Sequence, residues 1–396
     1  MKLGNRMGKS GDHGECVWLE SNGGDFETFR QLVEQQVNPA TYPSADRVVS
    51  NVPIYDGATI NVAGDERKAL MAEWVAVLKS GPGIVVIEGA FSDTKIIDRA
   101  SGVFEALIAQ EKKDGLGGND HFAKPGSNDR IWNALEKHCI ADTEGFALYY
   151  ANPSIAAICE AWLGPAYQMT AQVNCVNPGG AAQNAHRDYH LGFMAPEQIV
   201  RYPAHVHDIS PVLTLQGAVV HCDMPLESGP TMYLPFSQAF FEGYLAFGRP
   251  EFQEYFAENY TQLPLRKGDA VFFNPALMHG AGSNVSSDIL RVANLLQVSS
   301  AFGRAMESVD RVAMARTLYP VLQSMQEKLS PLQIDALVSA SAEGYPFPTN
   351  LDLDPPIGGL APKSQQAHMR EALKAGTSAE EFAKLLDRLE EKRRTN

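Results

Sequence analysis

The chain has 396 residues, 44% apolar and 20% charged, which suits one large globular domain with additions, or two domains. A formal charge of −14 argues against a nucleic-acid partner, because phosphate recognition needs basic patches, and it mildly disfavours a polyanionic substrate. No stretch approaches the ~18–20 apolar residues of a membrane span, and Met1–Glu20 lacks the apolar run of a secretory signal. The five cysteines (16, 139, 159, 175 and 222) contain no CxxC pair, so free thiols and a cytoplasmic location are expected.

In chain order, residues 1–50 are polar and Gly-rich at first, with one short helix expected near Phe26–Gln36. Asp65–Ser80 carries Leu70, Met71, Trp74, Val75 and Leu78 at amphipathic-helix spacing, and the pattern stops at Gly81-Pro82-Gly83. Ile84–Ile87 reads as a buried strand and Ser92–Gln110 as a second helix. Residues 115–132 are rich in glycine, polar and aromatic groups but lack the Gly-Lys-Ser/Thr ending of a P-loop. They read either as a solvated loop or as a cover over a pocket, with Lys124 or Arg130 meeting an acidic substrate. From Gly164 to Ser300 short strands alternate with turn signals, as in a double-stranded β-helix (jelly roll) whose two sheets close around a pocket.

Beyond residue 303 the character changes. Arg304–Leu329, Pro331–Ala342 and Ser378–Arg394 read as helices, with Ser330-Pro331 as a start signal and Ser378 with Glu381 as a capping box. Tyr345–Gly359 between them is too Pro-rich for regular structure, and no internal repeat occurs. The expected fold is mainly β with added helices: an N-terminal extension (1–63), a jelly-roll domain with N-terminal supporting helices (64–302), and a C-terminal helical extension (303–396).

Chemistry concentrates in His186-Arg187-Asp188, followed by His279 and Arg291. In a strand, side chains alternate faces, so His186 and Asp188 would project together and a distant strand would supply the third ligand. Two histidines and one carboxylate leave metal positions open, which suits Fe(II) enzymes that activate oxygen. The HxD follows the turn Asn177-Pro178-Gly179-Gly180, and His279 follows the apolar strand Ala270–Phe273 and a bend at Pro275. Arg291 opens another apolar strand, where an unpaired buried charge is strongly disfavoured. A planar guanidinium grips a carboxylate with two parallel hydrogen bonds, so a dicarboxylic cosubstrate such as 2-oxoglutarate could chelate iron at one end and meet Arg291 at the other.

Gln172 and Asn174 share one face of an apolar strand, as structural hydrogen-bonding groups or as cosubstrate contacts. His190 continues the face of His186 and Asp188 and is expected to border the site. His205-Val206-His207-Asp208 is a rival, cupin-like motif, read as a polar loop at the pocket mouth; His221 reads as a buried strand histidine. Asn284-Val285-Ser286 satisfies a glycosylation sequon but reads as part of the motif before Arg291.

From roughly Gly81 to Ser300 these features resemble the phytanoyl-CoA dioxygenase family of Fe(II)/2-oxoglutarate oxygenases. The Pro-Gly turn before the HxD, the stretch Glu227–Pro235, the Gly268-Asp269 lead-in and Asn284–Ser286 carry the resemblance. It implies iron held by His186, Asp188 and His279, Arg291 on the far carboxylate of 2-oxoglutarate, and Gln172 beside that cosubstrate. It also implies O2 as oxidant, release of succinate and CO2, and a small organic substrate. Halogenating relatives lack the carboxylate at the Asp188 position, so its presence favours hydroxylation of an unactivated C–H, with desaturation and epoxidation also open. One departure is Pro235-Phe236-Ser237, where relatives often have Pro-Gly-Ser-His. Two other classes remain: a jelly-roll metalloenzyme without 2-oxoglutarate, in which Arg291 is a core ion pair, and a non-catalytic binding module. Homo-oligomerisation is compatible with either.

Overall fold

A computed structural model describes residues 17–60, 62–115, 127–346 and 349–394. Its first half is built by helices that wrap a growing sheet. α1 (Phe26–Val33) is followed by β1 (Arg47–Val49), β2 (Val52–Asp56), α2 (Gly64–Lys79), β3 (Ile84–Glu88) and α3 (Thr94–Lys113). In α2 the buried residues are Leu70, Trp74, Val77 and Leu78, a stripe at helical spacing. The helix ends where Gly83 adopts φ +85°, and a Cβ there would lie 2.6 Å from Gln238 Oε1. β4 (Asn128–Ile131) leads into α4 (Ala134–Ala141), α5 (Thr143–Tyr150) and α6 (Pro153–Leu163), the last started by an Asn152 cap and Pro153.

The strands that form the site follow. They are β5 (Gln168–Val176), β6 (Thr214–Val220), β7 (Thr231–Tyr233), β8 (Ala270–Phe273), β9 (His279–Ala281) and β10 (Arg291–Ser299). Short helices α7 (Pro196–Ile199), α8 (Ala204–Ile209) and α9 (Gly243–Ala246), with the longer α10 (Pro250–Asn259), lie in the connections. Eight strands make one mixed sheet in the order β1-β2-β3-β8-β6-β10-β5-β4, antiparallel except at β2–β3. β7 and β9 form a second, two-stranded sheet.

β10 lies between β5 and β6, and its alternation divides the molecule. Arg291, Ala293, Leu295 and Gln297 line a cavity, whereas Leu296 and Val298 enter the main apolar cluster with Trp74, Phe104, Phe146, Leu318 and Phe382. The terminal helices α11 (Arg311–Met325), α12 (Pro331–Ser341), α13 (Gln365–Ala375) and α14 (Ala379–Arg393) add to that helical side, α11 packing on α4 and α5 and α12 on α6. Helices occupy more of the described chain than strands, so "mainly β" describes the site-bearing middle and not the whole. α11 also begins later than the sequence pattern suggests, at an Asp310 cap. The residues before it run to the cavity instead: Met306 lines it, and Glu307 Oε1 accepts the Asn133 N–H at 2.7 Å.

Candidate metal centre

His186 and His279 meet because their main chains do. His186 N–H donates to His279 O at 2.9 Å and His279 N–H to His186 O at 3.1 Å, an isolated antiparallel bridge that sets the rings 4.4 Å apart. Each Nδ1 lies on a carbonyl oxygen, that of Asn184 for His186 (2.9 Å) and that of Leu277 for His279 (2.8 Å). A carbonyl only accepts, so each Nδ1 carries the proton and each Nε2 keeps a free lone pair. Asp188 is fixed by its N–H to Pro275 O at 2.8 Å. Its Oδ1 lies 3.8 Å from His186 Nε2 and its Oδ2 3.5 Å from His279 Nε2. The three donor atoms fall within 4.8 Å of one another, and no other group of three His, Cys, Asp or Glu does so among the described residues.

The charge states suit a cation. Burial, then the neighbouring His279, lowers the pKa of His186 and keeps its imidazole neutral. Burial would raise that of Asp188, but its neighbours His279, His186 and Gln216 bring it down to about 2. Two imidazoles with Nε2 lone pairs turned to one carboxylate are a donor set that Fe(II) accepts, so the residues present fit the ion.

The donors face a cavity of about 400 Å3 with Arg291 in its wall. Arg291 is 7% exposed, and its Nη1 donates to Ser228 O and Gly282 O, both at 3.1 Å. Among the described residues no carboxylate lies within ion-pair distance of it. Burial lowers its pKa to about 10, which leaves it charged at neutral pH. A core ion pair would look different; this is a buried cation facing a space that an anion could enter. Asn284, of the apparent sequon, is buried and donates to Val176 O and Ile289 O at 3.1 and 2.8 Å, holding the turn that delivers Arg291.

The remaining candidates divide. Gln172 and Asn174 both face the cavity from β5. Gln172 Oε1 accepts from Arg130 Nη1 at 2.9 Å, and nearby, burial raises the pKa of the Glu307 carboxylate. Arg130 lies over the Trp132 ring at 5.1 Å, and both line the cavity together with Gln172 and Met306. Lys124 lies outside the described residues. His190 leaves the expected face: Tyr189 and His190 take φ +66° and +45°, the chain turns into a 3-10 segment, and His190 Nδ1 meets Ser210 Oγ at 3.3 Å away from the cavity lining. Left-handed backbone breaks strand alternation, so the same-face reading ends one residue after Asp188.

His205 and His207 lie in α8 and not in a loop, and at about 100° per residue a helix turns alternate side chains apart. His221 is buried as expected, between Ser101 Oγ (2.8 Å) and Tyr149 OH (2.9 Å) behind the sheet.

Arg187 and Gln216 were missed. Arg187, between the two HxD ligands, is 1% exposed; its guanidinium donates to Ser237 O and Phe240 O and sits 5.4 Å from the Tyr244 ring centroid. Gly243 makes room, since a Cβ there would lie 1.8 Å from Arg187 Cζ. Gln216 Nε2 donates to Asp188 Oδ2 from β6. The available signal was a polar residue inside the apolar run Thr214–Val220.

The family model described as phytanoyl-CoA dioxygenase (PhyH) matches residues 63–293. Among solved structures, the chain is similar to the non-heme alpha ketoglutarate dependent epimerase SnoN from nogalamycin biosynthesis, at 18% identity and TM-score 0.40 over 59% of this chain and 84% of that one. AviO1 from Streptomyces viridochromogenes Tue57 gives 18% identity and TM-score 0.44 over 59% and 97%. The carbocyclase SnoK from nogalamycin biosynthesis gives 20% and 0.41 over 58% and 83%. Likeness at this level carries nothing about activity, and no curated protein matches the chain. The match of the family model, over more than half of the chain and spanning the HxD, His279 and Arg291, shows that the chain belongs to the phytanoyl-CoA dioxygenase (PhyH) family.

Proposed function

We propose that the protein is an Fe(II)- and 2-oxoglutarate-dependent dioxygenase that hydroxylates an unactivated C–H bond of a small organic substrate. The observation that carries this reading is one cavity shared by a His186–Asp188–His279 donor set and a buried Arg291 with no carboxylate partner among the described residues. His186, Asp188 and His279 hold the iron, and Arg291 pairs with the remote carboxylate of 2-oxoglutarate. Asn174 lies beside that cosubstrate, whereas Gln172 is tied to Arg130. Iron with 2-oxoglutarate and O2 supplies the oxidant when bound, releasing succinate and CO2. The chain's own part is orientation and exclusion of water. The carbonyls of Asn184 and Leu277 aim both imidazoles, and Trp132, Tyr189, Phe193 and Met306 wall the side of the cavity where a substrate would sit. The eight-stranded sheet and the two-stranded sheet, to which His186 is bridged through His279, are read as the two layers of a jelly roll.

Anaerobic titration with Fe(II) and then 2-oxoglutarate tests the assignment, because chelation by a 2-oxo acid gives a charge-transfer absorption band without any substrate. A saturable band is expected. Iron binding with no band would favour a 2-oxoglutarate-independent metalloenzyme, and no iron binding would sink the oxygenase reading.

A further inference from the structure

We propose that Gln216 is a positioning residue for the metal-binding carboxylate of Asp188, an inference that rests on the oxygenase reading above. Asp188 sits at the end of its extended run, directly before the left-handed Tyr189. Its backbone is held by Pro275 O, but the last torsion of an Asp side chain is broad, so backbone placement alone does not orient the carboxylate plane. Gln216 supplies what is missing. It projects from the interior of β6, whose neighbours β8 and β10 are hydrogen-bonded on both sides, so its amide is presented from rigid sheet.

Chemistry fixes the amide's orientation. A carboxylate that holds a metal can only accept, so Nε2 of Gln216 must face it and Oε1 must face away. The oxygen that receives this hydrogen bond is Oδ2, which also faces His279 Nε2, while Oδ1 faces His186 Nε2. Gln216 thereby occupies one lone pair of Oδ2 and holds the carboxylate plane in the orientation in which it faces the two imidazoles. The Tyr189 phenol lies beside Gln216 but outside hydrogen-bond geometry, so the amide's contact with Asp188 is the one that orients it.

Gln297 is an internal control. It pairs with Gln216 across β10 and β6, lines the same cavity and is as buried (7% against 6%), but the hydrogen bond to Asp188 comes from Gln216. The experiment is anaerobic Fe(II) titration of wild type, Gln216→Leu, Gln216→Met and Gln297→Leu, followed by 2-oxoglutarate at saturating iron. Both Gln216 variants are expected to bind Fe(II) about 10–100-fold more weakly, the range for loss of a group that orients a metal ligand. They are also expected to show a weakened or shifted charge-transfer band at saturating iron, while Gln297→Leu matches wild type in both. Far-UV circular dichroism and thermal unfolding without metal identify a variant that fails to fold. If Gln216→Leu does so, Gln216→Met decides, and if both do, Gln216 is a folding residue and the proposal is wrong. Unchanged iron affinity and band in a folded Gln216 variant, or equal losses in Gln297→Leu, would overturn it as well. Wild-type protein that binds no iron, or shows no band, would sink the oxygenase reading itself.

Discussion

Replacing Arg291 with Leu separates an anchor for an anionic cosubstrate from a structural cation. Burial draws the pKa of this guanidinium from 12.5 down to about 10. A folded-state pKa below the unfolded one means the charged form is disfavoured by folding, and at neutral pH the penalty is about 3 kcal/mol. Losing the charge relieves that term, while losing the hydrogen bonds to Ser228 O and Gly282 O gives back about 1.5–3 kcal/mol for each bond to a charged group. The two largely offset, so the metal-free Arg291→Leu protein should lose no more than about 3 kcal/mol of stability. 2-Oxoglutarate binding should behave otherwise. Removing one partner of a buried charge pair forfeits about 2–5 kcal/mol, a loss of affinity from about 30-fold to more than a thousandfold. The assay is denaturant unfolding of the metal-free protein, beside Fe(II) and 2-oxoglutarate titration of the same preparation. Near-normal stability and iron binding with loss of the charge-transfer band is the expected pattern. Loss of several kcal/mol of stability with the band retained would refute the reasoning and return Arg291 to a core role.

Asp188→Ala should fold but bind Fe(II) at least about 100-fold more weakly, because two imidazoles then face the ion without a charge, and iron titration beside circular dichroism checks it. Gly243→Ala should lower stability by about 1–3 kcal/mol or more, since its Cβ would enter the Arg187 guanidinium, and iron affinity should fall with it as the segment between His186 and Asp188 shifts. His138 and His221 are buried, and burial lowers their pKa values from 6.5 to about 4 and about 3. With folded values below unfolded ones, the stability they contribute is present above pH 6.5 and is lost as pH falls from there toward 4. The slope approaches about 2.7 kcal/mol per pH unit when both take up a proton on unfolding. His138, whose ring nitrogens have no hydrogen-bond partner, packs against Phe104, Phe146, Tyr149 and Tyr150, so His138→Phe should remove about half of that slope in urea melts at pH 7, 5.5 and 4.5.

Much of the candidate site was legible because its signals are local. A Pro-Gly turn, an HxD, an apolar strand before His279 and a lone cation opening another apolar run each lie within a dozen residues. Strand alternation then correctly turns Arg291, Asn174 and Gln172 toward one cavity. Helix signals worked for the same reason: the Ser330-Pro331 start, the Ser378 capping box and the stripe of α2 follow from hydrogen bonding and burial over a turn or two.

Relations between segments far apart in sequence were decided only by the fold. Which strand lies beside which sets the partners, so Gln216 could not be linked to Asp188 before β6 was known to pair with β8 and β10. Arg130, Gln172 and Glu307 become neighbours only because the chain beyond β10 returns to the cavity, which Met306 lines. His190 leaves the expected face because alternation holds only while the backbone stays extended, and Tyr189 and His190 both take positive φ. Arg187 looked like a spacer between two ligands, yet it is among the largest fully buried side chains, its charge accommodated by carbonyls, an aromatic face and the missing side chain of Gly243. Local periodicity and turn chemistry reveal which residues share a face. Only the packed chain decides what that face meets, because burial, hydrogen-bond partners and pKa depend on what lies nearby in space.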